Sequence, residues 1–118
     1  MGNARLHGPA GEALAAAYLE LIGCVVLARN PRLGGVEVDL LVEDGGTKVL
    51  VEVKARARTD YGGAALAVDH AKRSRLMRAA RALGAECGGA VRIDVVTVEP
   101  VEDGATVRHY RNAVTEGG

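Results

Sequence analysis

The sequence predicts a single α/β domain in which a mixed β-sheet is flanked by helices. Three observations carry this. The chain has 118 residues, the size of one domain with one real core. Its apolar patterning orders as helix, strand, strand, strand, helix, strand, strand, and the helix after the third strand provides a crossover. Finally, 48% of the residues are apolar, yet there is no Trp or Phe and only three Tyr, so Val, Leu, Ile and Ala must build the core.

Met1 to Gly8 reads as a loose leader. The first helix is expected over Pro9 to Ile22, with Pro9 suited to its first turn and Gly23 to its end. Leu14, Tyr18, Leu21 and Ile22 form the stripe that would pack on the sheet. Glu12 lies in the first turn, where a carboxylate complements the helix dipole. Cys24 to Arg29 is a short apolar run that reads as a buried first strand, and Asn30 to Gly35 reads as a loop. Val36 to Val42 and Thr47 to Ala55 alternate in polarity around Asp44-Gly45-Gly46, the pattern of an antiparallel hairpin.

Ala55 to Gly63 is a basic connection, with Arg56, Arg58, Thr59 and Tyr61 as candidate substrate contacts because loops beside a site carry them. Val68 to Leu83 is the second main helix, with Asp69 as N-cap and Gly84 as its stop. Its apolar stripe runs Leu76, Ala79, Ala80, Leu83, and Lys72 lies at the head of that stripe. The Lys72 side chain either snorkels past the sheet end or points at the acidic face of the hairpin. Ala90 to Val98 is nearly continuous in apolar residues and reads as an interior strand. Asp94 within it needs a partner such as an Arg or a backbone amide, and its expected role is structural. Glu99 to Ala105 turns the chain, Thr106 to Ala113 makes a last strand, and Thr115 to Gly118 is expected to fray.

Composition narrows the function classes. The formal net charge is zero, so gross electrostatics announce no polyanion partner. Distribution says more: Lys54, Arg56, Arg58, Lys72, Arg73, Arg75, Arg78 and Arg81 stand against Asp60 and Asp69 alone between residues 54 and 81. That excess suits a phosphate-facing surface, and equally a solvated helix decorated with Arg. The scarcity of aromatics argues against modules that read single strands by stacking. Cys24 and Cys87 lack the spacing of a zinc site or a disulfide framework. No long apolar run spans a bilayer and the N-terminus lacks a signal-peptide core, so a soluble, cytoplasmic protein with no membrane partner is expected.

The hairpin asks for a chemical explanation. With Gly45-Gly46 as the loop, Asp39 falls opposite Glu52; with Asp44-Gly45, Glu37 opposes Glu52 and Asp39 is its diagonal neighbour. Both registers put the carboxylates of Asp39 and Glu52 on one face, with Lys54 beside them. Like charges so placed destabilise a sheet. A divalent cation removes the repulsion, and carboxylates with water are the ligands Mg²⁺ prefers. Two carboxylates and a Lys also suit phosphodiester hydrolysis, the Lys orienting a water or meeting developing negative charge. A merely solvated acidic face is the alternative.

Asp39 followed by Glu52-Val53-Lys54 resembles the Asp…(Asp/Glu)-x-Lys signature of the restriction-endonuclease-like nuclease superfamily. The wider pattern is similar to the YraN family of small predicted endonucleases. Its matching parts are Gly11-Glu12, Arg29-Asn30, Glu37-Val38-Asp39-Leu40, Val51 to Arg56, Gly62-Gly63, Ala67-Val68, Lys72 with Arg75-Leu76, and Arg92 to Val96. Two departures are visible: Val36 stands where the family usually has Gly, and no Pro precedes Asp39. The resemblance implies a restriction-endonuclease-like core and a Mg²⁺- or Mn²⁺-dependent endonuclease acting on DNA. Asp39 and Glu52 would bind the metal, with the Val53 carbonyl and Glu12 as further ligands. Lys54 would serve the attacking water, and Lys72 would turn toward the acids. Arg56, Arg58, Tyr61, Arg73 and Arg75 are the candidate nucleic-acid contacts. Relatives include Holliday-junction resolvases, from which branched DNA and a homodimer follow as expectations. A binding or assembly module on the same fold, without catalysis, is the alternative function.

Overall fold

The computed structural model describes residues 9–55 and 70–115. The expected leader, the loop candidates Arg56, Arg58, Thr59 and Tyr61, the start of the second helix and the last three residues lie outside them. Among the described residues the order is α1 (Pro9–Leu21), β1 (Val25–Arg29), β2 (Arg32–Leu33), β3 (Val36–Glu37), β4 (Leu40–Asp44), β5 (Thr47–Ala55), α2 (His70–Cys87), β6 (Val91–Val101) and β7 (Gly104–Tyr110). Five strands form one sheet in the order β1-β4-β5-β6-β7, and β2 and β3 form a separate small hairpin. Only β5 and β6 run parallel, as expected where a helix carries the chain across the sheet. This is the mixed sheet flanked by helices that the sequence implied.

Alternation along the strands divides the core in two. Leu40, Val42, Val49, Val51, Val96 and Val98 bury one face of the sheet with Ala15, Ala16 and Leu19 of α1. Leu50 and Ile93 bury the other with Leu76, Ala79 and Leu83 of α2. Small residues on α1 allow that helix to lie close, which is how a core without Phe or Trp is filled.

Several sequence expectations are corrected. β1 is not a buried strand: among the described residues it has a neighbour on one side only, and Val25 and Leu27 are 57% and 43% exposed. Residues 30–35 are not a plain loop. Arg32–Leu33 pairs with Val36–Glu37 around Gly34 and Gly35, both at positive φ, and a bend at residues 38–39 separates β3 from β4. Helix α2 runs through Gly84 to Cys87. The stop is Gly88 at φ +71, whose N–H donates to the Gly84 carbonyl at 2.8 Å. Strand β6 continues to Val101, and the turn to β7 is only Glu102-Asp103, since Val101 already pairs with Gly104. Pro100 lies past the last described parallel pair, Ala55 with Val98, and pairs with Ala105 of β7.

Candidate active site

The β4–β5 register is the one with Gly45-Gly46 as the loop: Asp44 faces Thr47 and Leu40 faces Val51. One step further, Asp39 comes level with Glu52. The bend there removes Asp39 from the ladder, and its side chain substitutes for the lost main-chain partner. The Val53 N–H donates to Asp39 Oδ2 at 2.8 Å. A strand residue directs its N–H and C=O to the same edge, so the Val53 carbonyl also faces the side where Asp39 sits.

Glu52 is the residue the fold treats least kindly. It is 6% exposed, on the α2 side of the sheet, and its partner there is the Lys72 ammonium. Burial pushes its carboxyl above the usual range; the Lys72 hydrogen bond opposes this, the charge of Asp39 adds to it, and the charges of Lys72 and Lys54 pull it back down. Of the two readings of Lys72, the side chain takes the one that points at the acids. Val36, Glu37, Asp39, Glu52, Lys72, Arg75 and Leu76 line an open cleft of about 230 Å³.

Glu12 reaches the same place from the first turn of α1. Its Oε1 accepts a hydrogen bond from Asn30 Nδ2 at 3.2 Å. Burial pushes the Glu12 carboxyl up, Asn30 draws it down, and the charge and hydrogen bond of Asp39 raise it again, with Glu37 acting in the same direction. The structure therefore brings Glu12, Asp39, Glu52 and Lys72 together, with Lys54 within electrostatic reach. Arg75 is exposed at the cleft, whereas Arg73 donates to the Thr115 carbonyl at 3.1 Å and so anchors the C-terminal segment. Glu37 meets Arg32 at 3.9 Å with both side chains exposed.

The donor chemistry of the cleft fits a hard divalent cation. The charge of Asp39 raises the cost of ionising Glu52, and carboxylate and carbonyl oxygens are the ligands such ions take. Among the described residues, no three Asp, Glu, His or Cys side chains stand close enough to hold one ion together. An ion here would keep several waters, as Mg²⁺ commonly does.

The chain matches the model of the Uncharacterised protein family UPF0102 over residues 11–98. It belongs to that family. This is the YraN family that the sequence resembled. A UPF0102 protein of Halorhodospira halophila (strain DSM 244 / SL1) is 46% identical over 112 residues, covering 95% of this chain and 89% of that relative. Another, from Burkholderia pseudomallei (strain 1106a), is 46% identical over 101 residues, covering 83% and 70%. Among solved structures, Pyrococcus furiosus SfsA in complex with Ca²⁺ aligns with a TM-score of 0.42 at 18% identity. That alignment takes in 91% of this chain and 63% of SfsA, so the UPF0102 chain spans less than two thirds of that protein's length.

Asp94 belongs to a different cluster. It accepts from Arg92 Nε at 2.8 Å and Nη2 at 3.0 Å, from the Asn112 N–H at 2.9 Å, and bonds His109 Nε2 at 2.7 Å. Arg92 reaches on to Asp44 at 3.0 Å, and His109 Nδ1 meets the Tyr18 hydroxyl at 3.0 Å. Burial alone would push the Asp94 carboxyl up, but the Arg92, Asn112 and His109 bonds together hold it below the usual range. Both partners expected from sequence are present. The imidazole was not foreseen, because only the β6–β7 register brings His109 beside Asp94. Asn30 was also missed as a site residue; its one sequence signal was its place in the Arg29-Asn30 pattern.

Proposed function

We propose that this UPF0102 protein is a Mg²⁺- or Mn²⁺-dependent endonuclease that hydrolyses phosphodiester bonds in DNA. The observation that carries this reading is the convergence of Asp39 and buried Glu52 on one cleft with the Lys72 and Lys54 ammonium groups beside them. A fold with no use for that charge would place an apolar residue at 52. Asp39, Glu52 and the Val53 carbonyl would hold the ion, and Glu12 would act on its water shell through Asp39. When bound, such an ion supplies Lewis acidity and a more acidic water. Lys54 stands where an ammonium can orient the attacking water or meet negative charge on the phosphate. Lys72 pairs with Glu52 under the helix and opposes the upward push that burial gives its carboxyl. Arg75 at the cleft mouth, with Arg56, Arg58, Tyr61 and Arg73, would meet the DNA backbone. One domain offers one such site, so cutting both strands takes two copies, and branched DNA is the substrate class proposed.

A cleavage panel of linear, flapped and four-way DNA with each metal tests the reading. The wild-type protein should cut at least one substrate, branched DNA best. Asp39→Asn and Lys54→Ala should each lose about 10²-fold or more while remaining folded. If wild type and both variants bind DNA alike and none cuts with either metal, the non-catalytic binding module is the correct reading. The Lys72–Glu52 ion pair, which holds a cation on this acid without metal, is the observation in that reading's favour.

A further inference from the structure

We propose that Asn30 is a positioning residue of this site, fixing the Glu12 carboxylate over Asp39; the inference rests on the metal-site reading above. Asn30 follows the last residue of β1 and comes level with Asp39, since Arg29 pairs with Leu40. Its N–H donates to the Asp39 carbonyl at 2.9 Å, and the Val38 N–H donates to the Pro31 carbonyl at 2.9 Å. These two bonds clamp the chain on both sides of the bend that frees the Asp39 side chain.

Asn30 is one of two non-Gly residues at positive φ among those described, at +53°. Asn tolerates this left-handed conformation better than most residues. The conformation turns the chain from β1 into the β2–β3 hairpin, and from there the side-chain amide reaches Glu12 Oε1, 18 residues earlier in sequence. One residue therefore grips Asp39 through its main chain and Glu12 through its side chain. Without the amide, Glu12 keeps only its contact with Asp39, one acid against another. The other residue of this kind, Asn112 at φ +54°, donates its N–H to the Asp94 carboxylate.

Titration calorimetry of Mn²⁺ into the full-length wild type, Asn30→Gly, Glu12→Ala and the double variant tests this, with thermal unfolding of each without metal. Glycine adopts φ +53° freely and keeps the N–H bond to Asp39, so Asn30→Gly removes only the amide. It should unfold within a few degrees of wild type yet bind Mn²⁺ about three- to tenfold more weakly. On the Glu12→Ala background the same change should have no further effect, since its target is gone. Unchanged Mn²⁺ affinity in Asn30→Gly, with or without a lower unfolding temperature, overturns the proposal, as does equal weakening on both backgrounds. Failure of wild type itself to bind Mn²⁺ overturns the metal-site reading and the Asn30 role with it, and that result is read from the wild-type titration alone.

Discussion

Glu52 and Asp94 are both buried acids on neighbouring strands, and the fold treats them in opposite ways. The folded Glu52 carboxyl holds its proton more tightly than in the unfolded chain. Its contribution to stability is thus present below the unfolded value and lost as pH rises through the raised folded one. Glu52→Gln should therefore unfold at a higher temperature than wild type at pH 7 without metal, measured by calorimetry, even as it removes a proposed ligand. Asp94 is the reverse. Its lowered carboxyl contributes stability that is complete above the unfolded value of 3.8 and drains as pH falls through the folded one. Asp94→Ala should cost about 3–5 kcal/mol at pH 7 in chemical denaturation, because it removes the buried acid that Arg92, His109 and the Asn112 N–H share, leaving Arg92 only Asp44 and His109 only Tyr18 among the described residues. The gap to wild type should close in strong acid. Sequence showed that Asp94 needed a partner, because it interrupts an apolar run, and strand alternation set Asp39, Glu52 and Lys54 on one face. It did not show Asn30 gripping Glu12 or His109 meeting Asp94, since those contacts depend on where separate elements dock.

The main helices and strands were legible in the apolar pattern, and the misread boundaries share a cause. A lone Gly near a helix end resembles a stop, but Gly84 lies inside α2, where an added Cβ would meet Val91 Cγ2 at an ordinary 3.8 Å. Gly84→Ala should therefore stabilise the protein by about 0.5–1 kcal/mol in denaturant unfolding. Gly34 is the opposite case. It sits at φ +58 in the β2–β3 turn, and a Cβ there would approach Ala82 Cβ to 3.1 Å and the Arg78 carbonyl to 3.3 Å. Gly34→Ala should destabilise by about 1–3 kcal/mol, more than Gly35→Ala, which meets only the backbone strain and open space. This hairpin could not be read from residues 30–35 because its two-residue strands are too short to show a period. What holds it is packing on α2.

Among the described residues, the two charged clusters lie on opposite faces of the sheet. Asp94, His109, Tyr18, Arg92 and Asp44 tie α1 to the sheet on one face. Asp39, Glu52 and Lys72 lie where β4 begins and α2 crosses the other. Among the described residues no helix is long and apolar enough to cross a membrane. The mixed sheet was legible from the order of elements, because a helix between the third and fourth long strands leaves a parallel crossover as the short route. The candidate cleft was legible only as a pattern of acids and a lysine. Its depth, with Glu52 under a helix and paired to Lys72, came from the packing of α2.

The most direct measurement is the unfolding temperature of wild type and Asp39→Asn as Mg²⁺ or Mn²⁺ is added. At a hundredfold excess over the dissociation constant, an ion held at this cleft should stabilise the wild type by about 2.7 kcal/mol, a rise of about 10 °C that keeps growing with the logarithm of ion concentration, and leave Asp39→Asn nearly unmoved. Equal shifts in the two proteins, or none in either, would contradict a metal site built on Asp39 and Glu52.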